Sequence, residues 1–208
     1  MSPTRQRAFD ELVPRYVAKP PFLRDRPIIV EIGCGAGEAT AAMAVGDVGS
    51  LVVACEPNAA MVANLATLLD ADGIVNVRLW VGDAFDLLGL LGPGSVAELR
   101  IWFPDPWPKP RQAQKRLFTA QRLALLTDSL AIGGRLRLAT DDAAYAAEAI
   151  AAIEAEPRLV GDVVPRPAER PITRFEARGL HEGRPAVDIE ARRVAAEGTP
   201  ERPDHRSR

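Results

Sequence analysis

The chain has 208 residues, of which 47% are apolar and 26% charged, and a formal net charge of −2. This length is enough for one domain with a sizeable core that needs neither disulfides nor metal. Cys34 and Cys55 have no metal-ligand spacing and suggest no disulfide framework. There is no signal-peptide pattern, and no apolar run reaches the roughly 18 residues of a membrane span. We therefore expect a cytoplasmic, reduced protein that binds no metal and no membrane.

Strand-like and helix-like segments alternate along the chain. Strands are predicted at residues 28–32, 51–55, 77–81, 96–101 and 135–139, and shorter ones near 159–164 and 187–192. Helices are predicted at residues 6–17, at 38–45, from beyond 58 to 69, at 114–130, and from beyond 142 to 156. This alternation predicts an α/β fold with a doubly wound, mostly parallel sheet and an antiparallel strand near the C-terminus. Residues 1–194 are expected to form a single domain, and residues 195–208 a disordered tail.

A glycine-rich turn follows the first predicted strand, with Gly33, Gly35 and Gly37 at alternate positions. Glycine allows a tight turn and a close approach of the backbone to a ligand. The G-x-G-x-G spacing differs from the dinucleotide pattern G-x-G-x-x-G, and the carboxylate of Glu31 at the strand end would repel a pyrophosphate. A nicotinamide dehydrogenase is therefore the least favoured interpretation. A cationic, phosphate-free ligand such as S-adenosylmethionine suits the turn better.

Two further acids follow predicted strands. Glu56 comes 19 residues after Gly37, where an acid commonly binds ribose hydroxyls. Asp83 follows the third strand, where a side chain can reach the edge of an adenine. Acids at such positions also cap helices, which is the structural alternative. Their combination with the glycine turn favours a cofactor site.

The run Trp102-Phe103-Pro104-Asp105-Pro106-Trp107-Pro108-Lys109 follows the fourth predicted strand. Its prolines restrict φ and remove backbone donors, so the strand must end there. The result is a stiff loop with a carboxylate, an ammonium and two indoles at a strand end, where open α/β sheets bind ligands. Such a loop can stack a flat base and hydrogen-bond its edge. The alternative is a proline-rich turn whose tryptophans close the core.

Three motifs together resemble the bacterial tRNA (guanine-N7-)-methyltransferases, which are Rossmann-like, S-adenosylmethionine-dependent enzymes. They are the 103–109 run, Thr140-Asp141 after the fifth strand, and the 173–179 run T-R-F-E-A-R-G. The resemblance extends over residues 5–193 and implies formation of 7-methylguanosine in the variable loop of tRNA. It implies cofactor contacts at Glu31, Gly33, Gly35, Gly37, Glu56, Asp83 and Asp105, with Asp105 the catalytic residue. It implies substrate contacts at Lys109, Asp141, Thr173, Arg174, Phe175 and Glu176.

The chemistry of this reaction agrees with the residue types. Guanine N7 carries a lone pair and no hydrogen, so the enzyme must align the reactants rather than remove a proton. The chain has two histidines, of which His205 lies in the predicted tail and His181 in a predicted charged loop. Methylation leaves positive charge on the purine, which a carboxylate such as Asp105 would stabilise. Asp105 or Asp141 could also accept hydrogen bonds from guanine N1–H and its amino group.

A local basic segment supports an RNA partner. Residues 107–126 contain five basic side chains and no acid, although such runs are often only a solvated face.

Two alternative functions remain open. One is methylation of an exocyclic amine, whose usual loop has two prolines between the acid or amide and the aromatic residue. The other is a non-catalytic RNA-binding relative that retains the cofactor fold.

Overall fold

The computed structural model describes residues 1–19, 25–107 and 109–195. The apolar runs form seven strands in this part of the chain: β1 (Ile28–Ile32), β2 (Leu51–Cys55), β3 (Val77–Trp80), β4 (Val96–Trp102), β5 (Leu130–Thr140), β6 (Leu159–Val164) and β7 (Val187–Arg193). They form one sheet in the order β3-β2-β1-β4-β5-β7-β6. Neighbouring strands are parallel from β3 to β5, and β7 is antiparallel to both β5 and β6. The predicted sheet, including its antiparallel strand, is confirmed.

Helices cover both faces of this sheet. They are α1 (Pro3–Glu11), α2 (Val13–Tyr16), α3 (Glu38–Gly46), α4 (Ala59–Ala71), α5 (Ala84–Leu91), α6 (Ala120–Ser129), α7 (Ala143–Ala155) and α8 (Arg174–His181). On one face, residues of α2, α3 and α4 pack on alternate residues of β1, β2 and β3. On the other face, α5, α6 and α7 cover the apolar side of β4 and β5. This burial on both faces explains why the central strands are almost continuously apolar.

Two predicted helices and one predicted strand differ from the structure. The helix expected at residues 6–17 begins at Pro3 and is divided into α1 and α2. The helix expected at 114–130 is preceded by a 3₁₀ helix (Pro110–Lys115), and α6 itself begins only after Thr119, whose hydroxyl accepts a hydrogen bond from the Arg122 amide. The chain then leaves α6 at Ser129 and enters β5 before its glycine pair.

Helices α5 and α8 were not predicted. Each begins directly after a side chain that caps it, Asp83 for α5 and Thr173 for α8. His181, expected in a loop, is the last residue of α8. The spacing of Thr173 and Glu176 is that of a capping box, a local signal that could have indicated α8.

Within the described ranges, no helix combines the length and the hydrophobicity that crossing a bilayer requires. In the same part of the chain, no cluster of three or more His, Cys, Asp or Glu side chains has an arrangement that could hold a metal ion. The predicted disordered tail spans residues 195–208, and all of it except residue 195 lies outside the described residues.

Candidate active site

A cleft of about 630 Å³ opens at the carboxyl ends of β1, β2 and β4. β1 lies between β2 and β4, so the strand order reverses direction at this point, which is where open α/β sheets bind ligands. The walls come from the glycine turn, the ends of β2 and β4, the proline-rich loop and the start of α8. Of the predicted site residues, nine line this cleft: Glu31, Gly33, Gly35, Gly37, Glu56, Asp105, Thr173, Arg174 and Phe175.

The glycine turn has the left-handed backbone that only glycine adopts without strain. Gly35 has φ of 54° and Gly37 has φ of 82°. A Cβ atom on Gly37 would lie 2.4 Å from Cδ1 of Leu65, whereas a Cβ on Gly35 would meet no atom within 4 Å. Gly37 is therefore required for packing of the turn on α4, and Gly35 leaves open space at the cleft.

Glu56 is held rigidly at the end of β2. Its Oε2 accepts a hydrogen bond from the amide of Gly35 at 3.1 Å, and its Oε1 accepts one from the amide of Asn58 at 2.9 Å. The carboxylate thus ties the glycine turn to the second strand. An acid at this position can still accept hydrogen bonds from ribose hydroxyls through its remaining lone pairs.

Glu31 is a buried carboxylate in the wall of the cleft. Its Oε2 and the hydroxyl of Thr40 are buried, and neither has a hydrogen-bond partner among the described residues. Burial raises the pKa of Glu31 from 4.5 to about 7. The Thr40 hydroxyl, which is close to Glu31 without meeting hydrogen-bond geometry, and the positive charge of Arg100 offset this rise only in part. Arg100 lies directly opposite Glu31 in the β1–β4 pairing. A buried acceptor without a partner suits a cationic donor group on a ligand.

Asp83 lies beside the main cleft rather than in it. It lines a second cavity of about 240 Å³, which shares Ile32, Gly33 and Leu117 with the first. Its Oδ1 accepts a hydrogen bond from the Phe85 amide at 2.9 Å and so caps α5. Asp83 therefore both caps α5 and lines a cavity beside the cleft, so the two interpretations are compatible. The two cavities form neighbouring compartments at one edge of the sheet.

The proline-rich loop carries backbone strain at two aromatic residues. Phe103 and Trp107 have φ of 51° and 47°, a conformation that costs about 1–3 kcal/mol for such a residue. Strain of this kind persists where the surroundings hold the loop in place. The Phe103 amide donates to the Ala139 carbonyl at 2.7 Å, and the Lys115 ammonium lies 4.4 Å from the centre of the Trp107 ring. Asp105 projects between these two anchors as an exposed side chain on the cleft wall.

The start of α8 forms a further part of the cleft wall. Thr173, Arg174 and Phe175 line it, and Phe175 is largely exposed. The guanidinium of Arg174 forms an ion pair with Glu38 at the start of α3, at 2.6 Å. Both side chains are solvated, so the pair contributes little to stability.

Three predicted substrate residues do not line the cleft. Glu176 is buried, and both its oxygens accept hydrogen bonds from Arg170. Asp141 forms an ion pair with Arg184 at 3.1 Å and lies against the backbone of α8. Lys109 is exposed on the loop beyond the cleft.

Several lining residues were not assigned a role from the sequence. Glu38, Met61, Trp102, Phe103, Lys115 and Leu117 contribute to the cleft wall. Trp102 and Phe103 belong to a run that the sequence had singled out, but their positions in the wall follow from the end of β4. Met61 and Leu117 have no local signal, because only tertiary packing brings them to the cleft.

Comparison with known proteins agrees with this architecture. A sequence profile of the family described as "Putative methyltransferase" matches residues 25–189. Among solved structures, an rRNA methylase from Streptococcus thermophilus superposes with a TM-score of 0.56 at 17% identity, covering 94% of this chain and 99% of that one. An O-methyltransferase, itself described as putative, from Klebsiella pneumoniae superposes with a TM-score of 0.57 at 15% identity, covering 94% and 91%. The strand order and the position of the cleft are those of a Rossmann-like methyltransferase fold.

Closer relatives are found among curated sequences. A tRNA (guanine-N(7)-)-methyltransferase of Nocardioides is 44% identical over 84% of this chain and 71% of its own length. Enzymes with the same name from Streptomyces coelicolor and Xanthomonas euvesicatoria are 40% and 38% identical, over 83% and 100% of this chain. The chain spans 66% of the first of these two and 67% of the second. The chain belongs to the tRNA (guanine-N7-)-methyltransferase family.

Proposed function

We propose that the protein transfers a methyl group from S-adenosylmethionine to N7 of a guanine in the variable loop of cytoplasmic tRNA. The family supports the reaction, since a relative that is 44% identical carries that name. The observation that carries the proposal is one continuous cleft. It joins a buried carboxylate (Glu31), an amide-held carboxylate (Glu56) and the acid of a stiff aromatic loop (Asp105).

The lining of the cleft fits this cofactor. S-adenosylmethionine supplies an electrophilic methyl group together with cationic ammonium and sulfonium groups. Glu31 is proposed to accept hydrogen bonds from the ammonium, because its Oε2 is buried and lacks a partner in the described part of the chain. Glu56 is proposed to bind the ribose hydroxyls, while the backbone of the glycine turn lies against the ligand. Asp83 faces the neighbouring cavity, which suits the adenine.

Asp105 is proposed as the catalytic residue. Methylation at N7 removes no proton, so the contribution of the protein is alignment and electrostatic stabilisation of the purine as it becomes positive. The Asp105 side chain is exposed on the cleft wall, between two aromatic residues with strained backbones. It can accept hydrogen bonds from the edge of a guanine while its charge favours the methylated product.

The predicted substrate residues divide into three groups. Thr173, Arg174 and Phe175 line the cleft and are proposed to contact the nucleotide directly. Asp141 and Glu176 are proposed to act by supporting α8, because their carboxylates are engaged by arginines. Lys109 is proposed to contact phosphate outside the cleft.

The test is incubation of the full chain with methyl-labelled S-adenosylmethionine and unmodified tRNA, followed by nucleoside analysis. Labelled 7-methylguanosine is the expected product. Label on an exocyclic amine would overturn the proposed acceptor atom. Cofactor binding measured by calorimetry without any labelled nucleoside would instead indicate the non-catalytic relative.

The basic segment around the loop gives a prediction about RNA affinity. Lys109 and Arg111 are exposed next to the cleft. Replacing either by Ala is expected to weaken tRNA binding at 0.1 M salt and to reduce the slope of log K against log salt by about 0.7–0.9. Binding isotherms at four salt concentrations measure this slope. The control is Arg192→Ala. Arg192 is exposed on β7 and lies opposite Arg135 in the β5–β7 register, away from the carboxyl end of β5. Equal slopes in all variants would argue against phosphate contact at the loop.

The pKa of Glu31 predicts how cofactor binding depends on pH. Since this pKa is about 7, the carboxylate is protonated at lower pH and loses its attraction for an ammonium group. We expect cofactor affinity to fall up to about tenfold per pH unit below 7. Calorimetry between pH 5.5 and 8 is the measurement, with Glu31→Gln as the comparison. That variant is expected to bind weakly at every pH, and a wild-type affinity that stays constant would contradict the proposed ion pair.

The same pKa has a consequence for the ligand-free protein. The pKa of Glu31 is higher in the folded chain than its ordinary value of 4.5. The folded state therefore binds the proton more tightly than the unfolded state. Its contribution to stability is fully present below about pH 4.5 and is lost as the pH rises through about 7.

A further inference from the structure

Arg170 is a fully buried arginine behind the wall of the cleft. Its side chain has no exposed surface, and it forms four hydrogen bonds to two carboxylates. Two of them go to Glu176 at 2.7 and 2.9 Å, and two go to Asp188 at 2.8 and 2.9 Å. The guanidinium is thus satisfied in its own plane by one acid from α8 and one from β7.

The faces of the same guanidinium meet the proline-rich loop. Its central carbon lies 5.5 Å from the centre of the Phe103 ring and 5.7 Å from that of the Trp102 ring. These residues lead directly into the segment that carries Asp105. Arg170 therefore contacts two structures that line the cleft, the aromatic start of the loop and the first turn of α8.

Stability alone does not explain such an arrangement. Buried ion clusters cost desolvation, and apolar side chains of similar volume can often replace them without loss of stability. An arginine has one property that those side chains lack. Its planar group binds two carboxylates in fixed directions and still stacks on aromatic rings, and lysine cannot do the same.

The backbone strain at Phe103 gives a second reason to assign Arg170 a role beyond stability. Its φ of 51° persists only if the surroundings determine it. One anchor is the hydrogen bond from its amide to Ala139, and the contact of its ring with Arg170 is another. Ala139 in turn lies opposite Asp188, which is bound by the same guanidinium.

We propose that Arg170 is a positioning residue for the methyl acceptor, and this rests on the proposed function. It holds the loop that carries Asp105 and the start of α8 at a fixed separation, so that a base bound between them is aligned with the methyl donor. Glu176 is its partner on α8 and acts through Arg170 rather than by contact with the substrate. The cofactor residues on β1 and β2 lie outside this cluster.

The test compares Arg170→Met and Arg170→Lys with Arg137→Met. Arg137 serves as the control because it is also buried and its guanidinium lies 5.9 Å from the centre of the Trp102 ring. Its ion-pair partners in the described structure are Glu98, Glu169 and Glu190, none of them on α8. The readouts are kcat and KM for tRNA, the Kd for S-adenosylmethionine and the melting temperature.

Both Arg170 variants are expected to lose about 100-fold in kcat, as a misplacement of about 1 Å can cause, while their cofactor Kd stays within about twofold of wild type. The lysine variant is expected to give no rescue. Arg137→Met is expected to keep kcat within about threefold despite a lower melting temperature. Equal kcat in the Arg170 and Arg137 variants, or a cofactor affinity that falls in step with kcat, would overturn the proposal. If Arg170→Met does not fold, Glu176→Gln takes its place, and the same loss of kcat with an unchanged cofactor Kd is expected.

Hydrogen exchange tests the coupling without using tRNA. In Arg170→Met, the amides of Phe103, Asp105 and Trp107 are expected to exchange faster together with those of α8, and in Arg137→Met they are not. Unchanged exchange in the Arg170 variant would overturn the positioning role. Absence of 7-methylguanosine with wild-type protein would instead contradict the proposed function, so the two failures are distinguishable.

Discussion

Replacing Asp105 by Ala is expected to lower kcat by about 100- to 1000-fold, because a preorganised charge at the developing cation is lost. The cofactor Kd and the melting temperature are expected to remain close to wild type, since the side chain is exposed and lies on a loop. Single-turnover formation of 7-methylguanosine under saturating tRNA and cofactor is the measurement.

Two further variants separate charge from shape. Asp105→Asn keeps a hydrogen-bond acceptor without the charge, so its kcat is expected to fall between wild type and Asp105→Ala. Glu154→Ala removes an exposed acid from α7 and is expected to leave kcat unchanged. Near-normal turnover by Asp105→Ala would remove this residue from the catalytic role.

Replacing Gly37 by Ala is expected to destabilise the protein by about 2–4 kcal/mol, from overpacking and from left-handed strain together. The new Cβ would lie 2.4 Å from Cδ1 and 2.6 Å from Cβ of Leu65, and Leu65 is fully buried in α4. Neither the turn nor the helix can move without disturbing the packed face of the sheet. Urea denaturation of the ligand-free protein measures the loss.

Gly35→Ala is the matched control for this change. Its φ of 54° imposes similar strain, but its Cβ would meet nothing within 4 Å. We therefore expect a loss of stability of only about 1 kcal/mol, together with weaker cofactor binding because the added methyl group projects into open space at the cleft. Equal destabilisation by the two substitutions would show that packing against Leu65 is unimportant.

The position of Glu176 changes how the T-R-F-E motif is interpreted. The resemblance implies a substrate contact at each of its four residues, whereas in the structure the acid points into a buried ion cluster. The first three residues remain at the cleft. Glu176 and Gly179 form the buried side of α8, because residues three apart lie on the same side of a helix. Arg174 and Phe175 fall on its exposed side.

The sequence alone determined the sheet and the location of the glycine turn. β1, β2 and β6 begin and end at the predicted residues, because runs of apolar residues bounded by proline, glycine or charge carry their signal locally. The end of β4 was predictable to within one residue, since proline cannot continue a ladder; the strand ends at Trp102 rather than at the predicted Ile101. The acids at the carboxyl ends of β1 and β2 could be placed at the cleft because parallel strands end at a common edge.

Only the tertiary structure decided which charged residues face the cleft and which are buried behind it. From the sequence, Glu176 is expected to contact the substrate and nothing marks Asp188, and Arg170 lies 18 positions before Asp188. Their burial depends on β7 lying antiparallel beside β5, a pairing between distant segments that no local pattern specifies. The same holds for Leu65 beneath Gly37, because packing between α4 and the turn exists only once the sheet has brought them together.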